Sequence, residues 1–225
     1  MIRLVLFDID GTLIRTGGAG VKAFDRTFDR EFALAGATRE LNFSGRTDWS
    51  LVRECFRKHG IEPSPENFHR FFDHYVFWLD KLLGCLDGGV CPGVWQFIES
   101  IQGLQKPPVL ALLTGNIRLG AEIKLRHYGL WEIFRLGAFG DDHEDRNQLA
   151  SVALARGSKF INHDLMGEEV LVIGDTPLDI ACGQTIGAKV LAVGTGAFSP
   201  AQLEAFNPTW AIPNLRDCSA EDYCG

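Results

Sequence analysis

The stretch "LVLFDIDGTLIR", residues 4–15, decides the fold. Leu4, Val5, Leu6 and Phe7 are a continuous apolar run, the pattern of a parallel strand buried on both faces. The run ends in Asp8 and Asp10, one residue apart, followed at once by Gly11 and Thr12. In extended chain, residues i and i+2 project to the same side, so both carboxylates face one site and Ile9 turns away. The carboxyl end of a parallel strand is where open α/β sheets bind ligands. Two carboxylates there repel, and a shared proton or a bound cation relieves the repulsion. A pair of solvated acids closing a strand is the competing reading, and this stretch alone leaves both open.

Two further strand ends carry chemistry. Thr114-Gly115-Asn116 follows the apolar run "VLALL" and precedes a helical stretch, offering a hydroxyl, backbone N–H groups and a helix N-terminus to an anion. "VLVIGDTPLDI" is another apolar run, ending in Gly174-Asp175, with Asp179 one helical turn further on. From about residue 107 onward such runs alternate with helical stretches, which predicts an α/β layered domain with a mostly parallel sheet. Thr176-Pro177 and Ser199-Pro200 each supply an N-cap followed by Pro at the first helical position.

Residues 16–90 have a different texture and hold more than half of the chain's 16 Phe residues. Phe68, Phe71, Phe72, Tyr75, Leu79 and Leu82 recur near a 3.6 period, an amphipathic helix. "TDWSLVRECFRKHG" puts Leu51, Val52, Cys55 and Phe56 on one side, with Asp48 as the expected cap and Gly60 as the stop. A third helix, carrying Val21, Phe24, Phe28 and Phe32, follows Gly17, Gly18 and Gly20, which suit a hinge. The expected organisation is a core of residues 1–15 and 91–225, with a helical cap, 16–90, inserted after the first strand.

"DIDGTL", "LLTGN" and "GDTPLD" resemble, in order and spacing, motifs one, two and four of the haloacid-dehalogenase-like hydrolase superfamily, in its phosphatase branch. Residues 16–90 resemble the helical type-one cap of such enzymes, with phosphoglycolate phosphatases and β-phosphoglucomutases the most similar in texture. The resemblance implies a Rossmann-like three-layer sandwich. It also implies a Mg²⁺-dependent phosphatase acting on a small phosphomonoester of the phosphoglycolate or sugar-phosphate class. Asp8 would be the nucleophile, forming an aspartyl-phosphate, and Asp10 the general acid and base. Mg²⁺ would be held by Asp8, the carbonyl of Asp10 and Asp175, with Asp179 in or beside the ligand set. Thr114, Gly115 and Asn116 would bind the phosphoryl group, with Thr12 beside them and the Gly11 N–H turned toward the same oxygens. Motif three, a Lys often followed by Pro, has no match in the expected window. Arg146 is the first candidate for that cation, an Arg being able to contact carboxylate and phosphate bidentately, and Lys124 is the second. Arg46, in "FSGRTD", lies where related enzymes place specificity residues and would meet a substrate anion.

A phosphosugar mutase would use the same aspartate pair and return the phosphoryl group to substrate. A non-hydrolysing phospho-acceptor domain would use one metal-bound aspartate, but carries no helical insert of this size. A dehalogenase would lack the second acid. Composition narrows the partners further: a net charge of −7 argues against nucleic acid and anionic membrane surfaces. No apolar run approaches the ~20 residues of a membrane span, and none near the start is long enough for a signal peptide. The six Cys form no C-x-x-C pair, so they read as reduced thiols, and a cytoplasmic protein is expected. The turn "GDDHED", 140–145, reads as a charged surface turn rather than a metal loop.

Overall fold

A computed structural model describes residues 1–225. The elements in chain order are β1 (Leu4–Phe7), β2 (Ile14–Arg15), α1 (Ala19–Phe32), α2 (Asp48–Lys58), α3 (Pro65–Leu83), β3 (Gly89–Val90), α4 (Val94–Gln102) and β4 (Val109–Leu113). They continue with α5 (Arg118–His127), β5 (Leu136–Ala138), α6 (Arg146–Ile161), β6 (Val170–Gly174), α7 (Pro177–Thr185), β7 (Lys189–Val193), α8 (Pro200–Glu204), β8 (Trp210–Ile212) and α9 (Ala220–Cys224).

Six strands form one parallel sheet in the order β5-β4-β1-β6-β7-β8. The continuous apolar runs divide between its two faces, as period-2 geometry requires. Val5, Phe7, Leu110, Leu112, Leu171 and Ile173 pack with Phe97 of α4 and Leu125 of α5 on one side. Leu4, Leu6, Ala111, Leu113, Val170 and Val172 pack with Leu149 of α6 and Ile180 of α7 on the other. The result is the expected Rossmann-like three-layer architecture. β1 is central: Leu4 pairs with Val109 of β4 on one side and with Val170 of β6 on the other. The chain runs from β1 through β4 to β5 at one edge. It then crosses back to β6 and runs through β7 to β8 at the other, so the strand order reverses beside β1 and a crevice opens at its carboxyl end.

Helices α1, α2 and α3 form a third, largely aromatic core of their own, in which Phe24, Phe28, Phe56, Phe68, Phe71 and Tyr75 are buried. The edge-on contact of Phe24 with Tyr75, centroids 4.7 Å apart, is typical of it. A two-stranded antiparallel ribbon, Ile14 against Val90 and Arg15 against Gly89, joins this layer to the sheet. Gly17 and Gly18 follow in the left-handed region, φ 61° and 84°, which only glycine adopts without strain. A side chain on Gly17 would overlap the Asp87 carbonyl, so both crossing segments are pinned at one point.

One local expectation is corrected. Thr47, not Asp48, caps α2, its hydroxyl accepting from the Ser50 N–H. Asp48 is the first helical residue, and its carboxylate reaches across to the sheet-bearing layer instead. Thr176 and Ser199 do cap α7 and α8. No helix is long and apolar enough to cross a membrane.

Candidate active site

Three strand ends converge beneath the helical layer. Asp8 and Asp10 leave β1, Thr114 and Asn116 leave β4, and Asp175 leaves β6; all line one cavity of about 560 Å³. A larger groove, about 840 Å³, runs along the edge strand β5 but holds none of these groups, so the chemistry places the site in the smaller cavity.

The two acids of β1 have separate partners. Asp8 is buried and takes a hydrogen bond from Arg146 Nη2 at 2.8 Å. Asp10 turns one carboxylate oxygen to Lys124 Nζ at 2.6 Å and Asn116 Nδ2 at 2.8 Å. Ile9, between them, is fully buried in the core. Both candidate cations therefore lie in the site, each on its own aspartate. Asn116 links the second group together, its Oδ1 accepting from Lys124 at 2.6 Å and its Nδ2 also donating to Thr114 Oγ1 at 2.8 Å. Thr12 donates to Asp175 Oδ1 at 3.0 Å.

Gly11 adopts φ 86°, and any side chain there would run into the Asp175 carboxylate. Its N–H, however, donates to the Ile14 carbonyl at 2.8 Å, which corrects the expectation that it faces phosphate. The start of α5 is likewise not free for an anion. The Ile117 N–H donates to Asp48 Oδ2 at 2.8 Å, and the Arg118 N–H donates to Asp141. Gly115 is needed because the backbone of Arg46 lies against it, where a Cβ would collide with the Arg46 carbonyl. Arg46 lines the cavity, but its guanidinium is paired with Glu54 and reaches Ser50. The turn 140–145 behaves as a charged turn: Asp142 binds Arg156, and Glu144 binds Arg53 bidentately.

Carboxylate oxygens of Asp8, Asp175 and Asp179 lie within 4.8 Å of one another. Burial, and then the neighbouring Asp179 and Asp10 charges, push the Asp8 carboxyl up to about 7 against the pull of Arg146. Burial together with Asp179 and Asp8 raises Asp175 well above the usual range. Burial works against the charge on Arg146, but Asp179 and Asp8 outweigh it and keep the guanidinium protonated. Asp179 is fully engaged, one oxygen on Arg146 and the other on the Thr176 N–H and hydroxyl, at 3.0 and 2.6 Å. That leaves Asp8 and Asp175 with oxygen to offer, buried, mutually repelling and short of positive charge. A hard divalent cation fits this donor set, because it takes oxygen ligands and removes the repulsion.

The segment 45–48 holds the helical layer onto the site. Asp48 N–H donates to the Gly115 carbonyl at 2.8 Å, and Thr47 Oγ1 donates to the Glu144 carbonyl at 2.9 Å. Arg146 Nη1 donates to the Gly45 carbonyl at 3.0 Å. Burial pushes the Asp48 carboxyl up to about 7 despite Lys124 nearby. The unfolded chain ionises this acid near 4, the folded chain only near 7. The penalty therefore grows as pH rises through that window and is complete above it. Asp48→Asn keeps an acceptor for Ile117 and is expected to melt higher than wild type at pH 8, with the gap closing toward pH 5. Asp48→Ala leaves that N–H unpaired and is expected to be about 1–3 kcal/mol less stable than Asp48→Asn at either pH. Thermal melts of both variants at the two pH values check this, and a pH-independent gap for Asp48→Asn would refute it.

The sequence profile described as haloacid dehalogenase-like hydrolase matches residues 5–193. The pyrophosphatase PpaX of Halalkalibacterium halodurans is 26% identical over 223 residues, covering 96% of this chain and 94% of its own. Among solved structures, a predicted phosphoglycolate phosphatase from Haemophilus somnus superposes with TM-score 0.73 at 18% identity, covering 96% of both chains. CbbY from Rhodobacter sphaeroides, in complex with phosphate, superposes with TM-score 0.73 at 19% identity, again covering 96% of each. These two likenesses speak to the fold.

Proposed function

The chain belongs to the haloacid dehalogenase-like hydrolase family, and on that premise we propose that it is a Mg²⁺-dependent phosphatase of small phosphomonoesters. The observation that carries this reading is the convergence of Asp8, Asp10, Thr114, Asn116 and Asp175 in one cavity covered by the helical layer. Residues 16–90 act as the cap that excludes bulk water.

Asp8, held by Arg146, attacks phosphorus through a carboxylate oxygen. The ester P–O bond breaks, its electron pair leaves on the alkoxide, and Asp10 delivers the proton that the alkoxide takes up. Asp10 then removes a proton from water, which attacks the aspartyl-phosphate, releases inorganic phosphate and restores Asp8. Lys124 and Asn116 fix the Asp10 carboxylate in place. The Thr114 hydroxyl and the Asn116 amide lie beside the transferring group. Mg²⁺, held by Asp8, Asp175 and the Asp10 carbonyl, would supply the positive charge that lets an anionic nucleophile meet an anionic substrate.

The test is phosphate release by the purified protein with Mg²⁺ from p-nitrophenyl phosphate, 2-phosphoglycolate, sugar phosphates and pyrophosphate. The PpaX relatives, by their name, bring the last of these forward as a competing substrate. Turnover of monoesters supports the reading, and no phosphate from any of them defeats it. Excess EDTA is expected to lower turnover by at least about 100-fold, on the scale of losing the main charge stabiliser of the transition state. Added Mg²⁺ should restore it, and activity indifferent to EDTA would remove the metal from the proposal.

A further inference from the structure

The cap lines the upper half of the cavity with an apolar wall, Phe24, Phe43 and Leu51, and with one phenol, Tyr75. Tyr75 is 1% exposed, and its ring is fixed edge-on against Phe24 and stacked on Phe71 at 6.3 Å. Its hydroxyl makes no hydrogen bond within the protein. Trp49 Nε1 and Arg146 Nε are the buried polar atoms sealed without a partner, and the Tyr75 oxygen is not one of them. It therefore opens on the cavity rather than into packed core. A buried phenol normally finds a partner, and this one is left for whatever enters. Burial, and then the nearby Asp48 and Asp10 charges, raise its ionisation well above 10, so it meets a ligand as a neutral O–H.

The charges of the cavity limit what that ligand carries. The only cation that the cap contributes to the lining is Arg46, already paired with Glu54. Lys124 is committed to Asp10, and Arg146 to Asp8 and Asp179. Arg15, on the ribbon at the core side of the lining, turns Nε and Nη2 to the Thr195 carbonyl and faces no carboxylate. A second anionic group lying on the cap wall would sit against aromatic rings, where the one guanidinium, Arg46, is already neutralised by Glu54.

We propose that Tyr75 determines the leaving-group specificity of this site: its hydroxyl donates to an oxygen of a small, uncharged, hydroxylated alcohol whose carbon skeleton lies on Phe24, Phe43 and Leu51. This rests on the phosphatase reading and narrows it to the hydroxylated, sugar- or polyol-phosphate side. Pyrophosphate and 2-phosphoglycolate, whose leaving groups are charged, are disfavoured on this apolar wall.

The test compares kcat/KM for glycerol phosphate with that for propyl phosphate, which lacks the acceptor oxygens, in wild type and Tyr75→Phe. The wild-type protein is expected to prefer glycerol phosphate about tenfold, the worth of one ordinary hydrogen bond, and Tyr75→Phe to bring the ratio close to one. Pyrophosphate and 2-phosphoglycolate are run beside them and are expected to be slower than glycerol phosphate. A ratio that is the same in both proteins, or a wild-type preference for propyl phosphate or for either charged leaving group, overturns the inference while the phosphatase reading stands. Failure of both proteins on p-nitrophenyl phosphate strikes the phosphatase reading itself.

Discussion

Asp8→Asn is expected to lose at least about 10⁴-fold in kcat, the scale on which enzymes lose rate when a covalent nucleophile is removed. The amide is nearly isosteric but cannot form the acyl-phosphate, so the loss falls on the chemical step. The expected structural result runs the other way. In the wild-type protein one guanidinium faces Asp8 and Asp179, with Asp175 close by, so negative charge exceeds positive in a buried space. Neutralising Asp8 removes one repelling carboxylate and leaves Arg146 its partner in Asp179. Asp8→Asn is therefore expected to melt no lower than the wild type in the absence of divalent cations. Steady-state kinetics and a thermal melt, run side by side, check both halves. Substantial residual turnover would end the nucleophile assignment, whereas a large drop in melting temperature would mean that Asp8 is held for stability.

Much of this site is legible in the sequence because its parts are local. Asp8 and Asp10 sit directly behind an apolar run, as do Thr114 and Asp175, so strand and functional group are one continuous signal. Long-range pairing leaves no such trace. Nothing near Asp48 shows that its carboxylate ends on the Ile117 N–H, and its position favoured the simpler reading as a helix cap. Tyr75 fell in the apolar stripe of α3 because a 3.6-residue period records which face is buried and not whether a hydroxyl is satisfied there. In the sequence Arg146 and Lys124 stand as alternatives for a single cationic role. The structure gives Asp8 and Asp10 a cation each, a division visible only once β1, the last turn of α5 and the start of α6 are placed together. The Gly11 N–H shows the same limit at short range: glycine forecast the tight turn correctly, but the turn itself uses the donor on Ile14.

Arg146 joins catalysis to cap position, and its replacement separates the two. One guanidinium nitrogen binds Asp8 and Asp179, while the other binds the Gly45 carbonyl of the cap. Lys is a compact point charge without the planar fork, so Arg146→Lys can keep the attraction to the acids but not both directed contacts. It is expected to raise KM by about tenfold through the lost cap bond, with kcat falling less than in Arg146→Ala. Arg146→Ala leaves buried, uncompensated carboxylates and is expected to cost about 3–5 kcal/mol, a melting drop of about 10 °C. Because a divalent cation at Asp8 and Asp175 would relieve the same repulsion, added Mg²⁺ is expected to raise the melting temperature of Arg146→Ala more than that of the wild type. Melts of the three proteins with and without Mg²⁺ provide a readout independent of turnover. Equal Mg²⁺ responses would show that Arg146 and the cation do not share the charge of one acidic cluster. A wild-type melting temperature in Arg146→Ala would show that its buried ion pairs carry no stability.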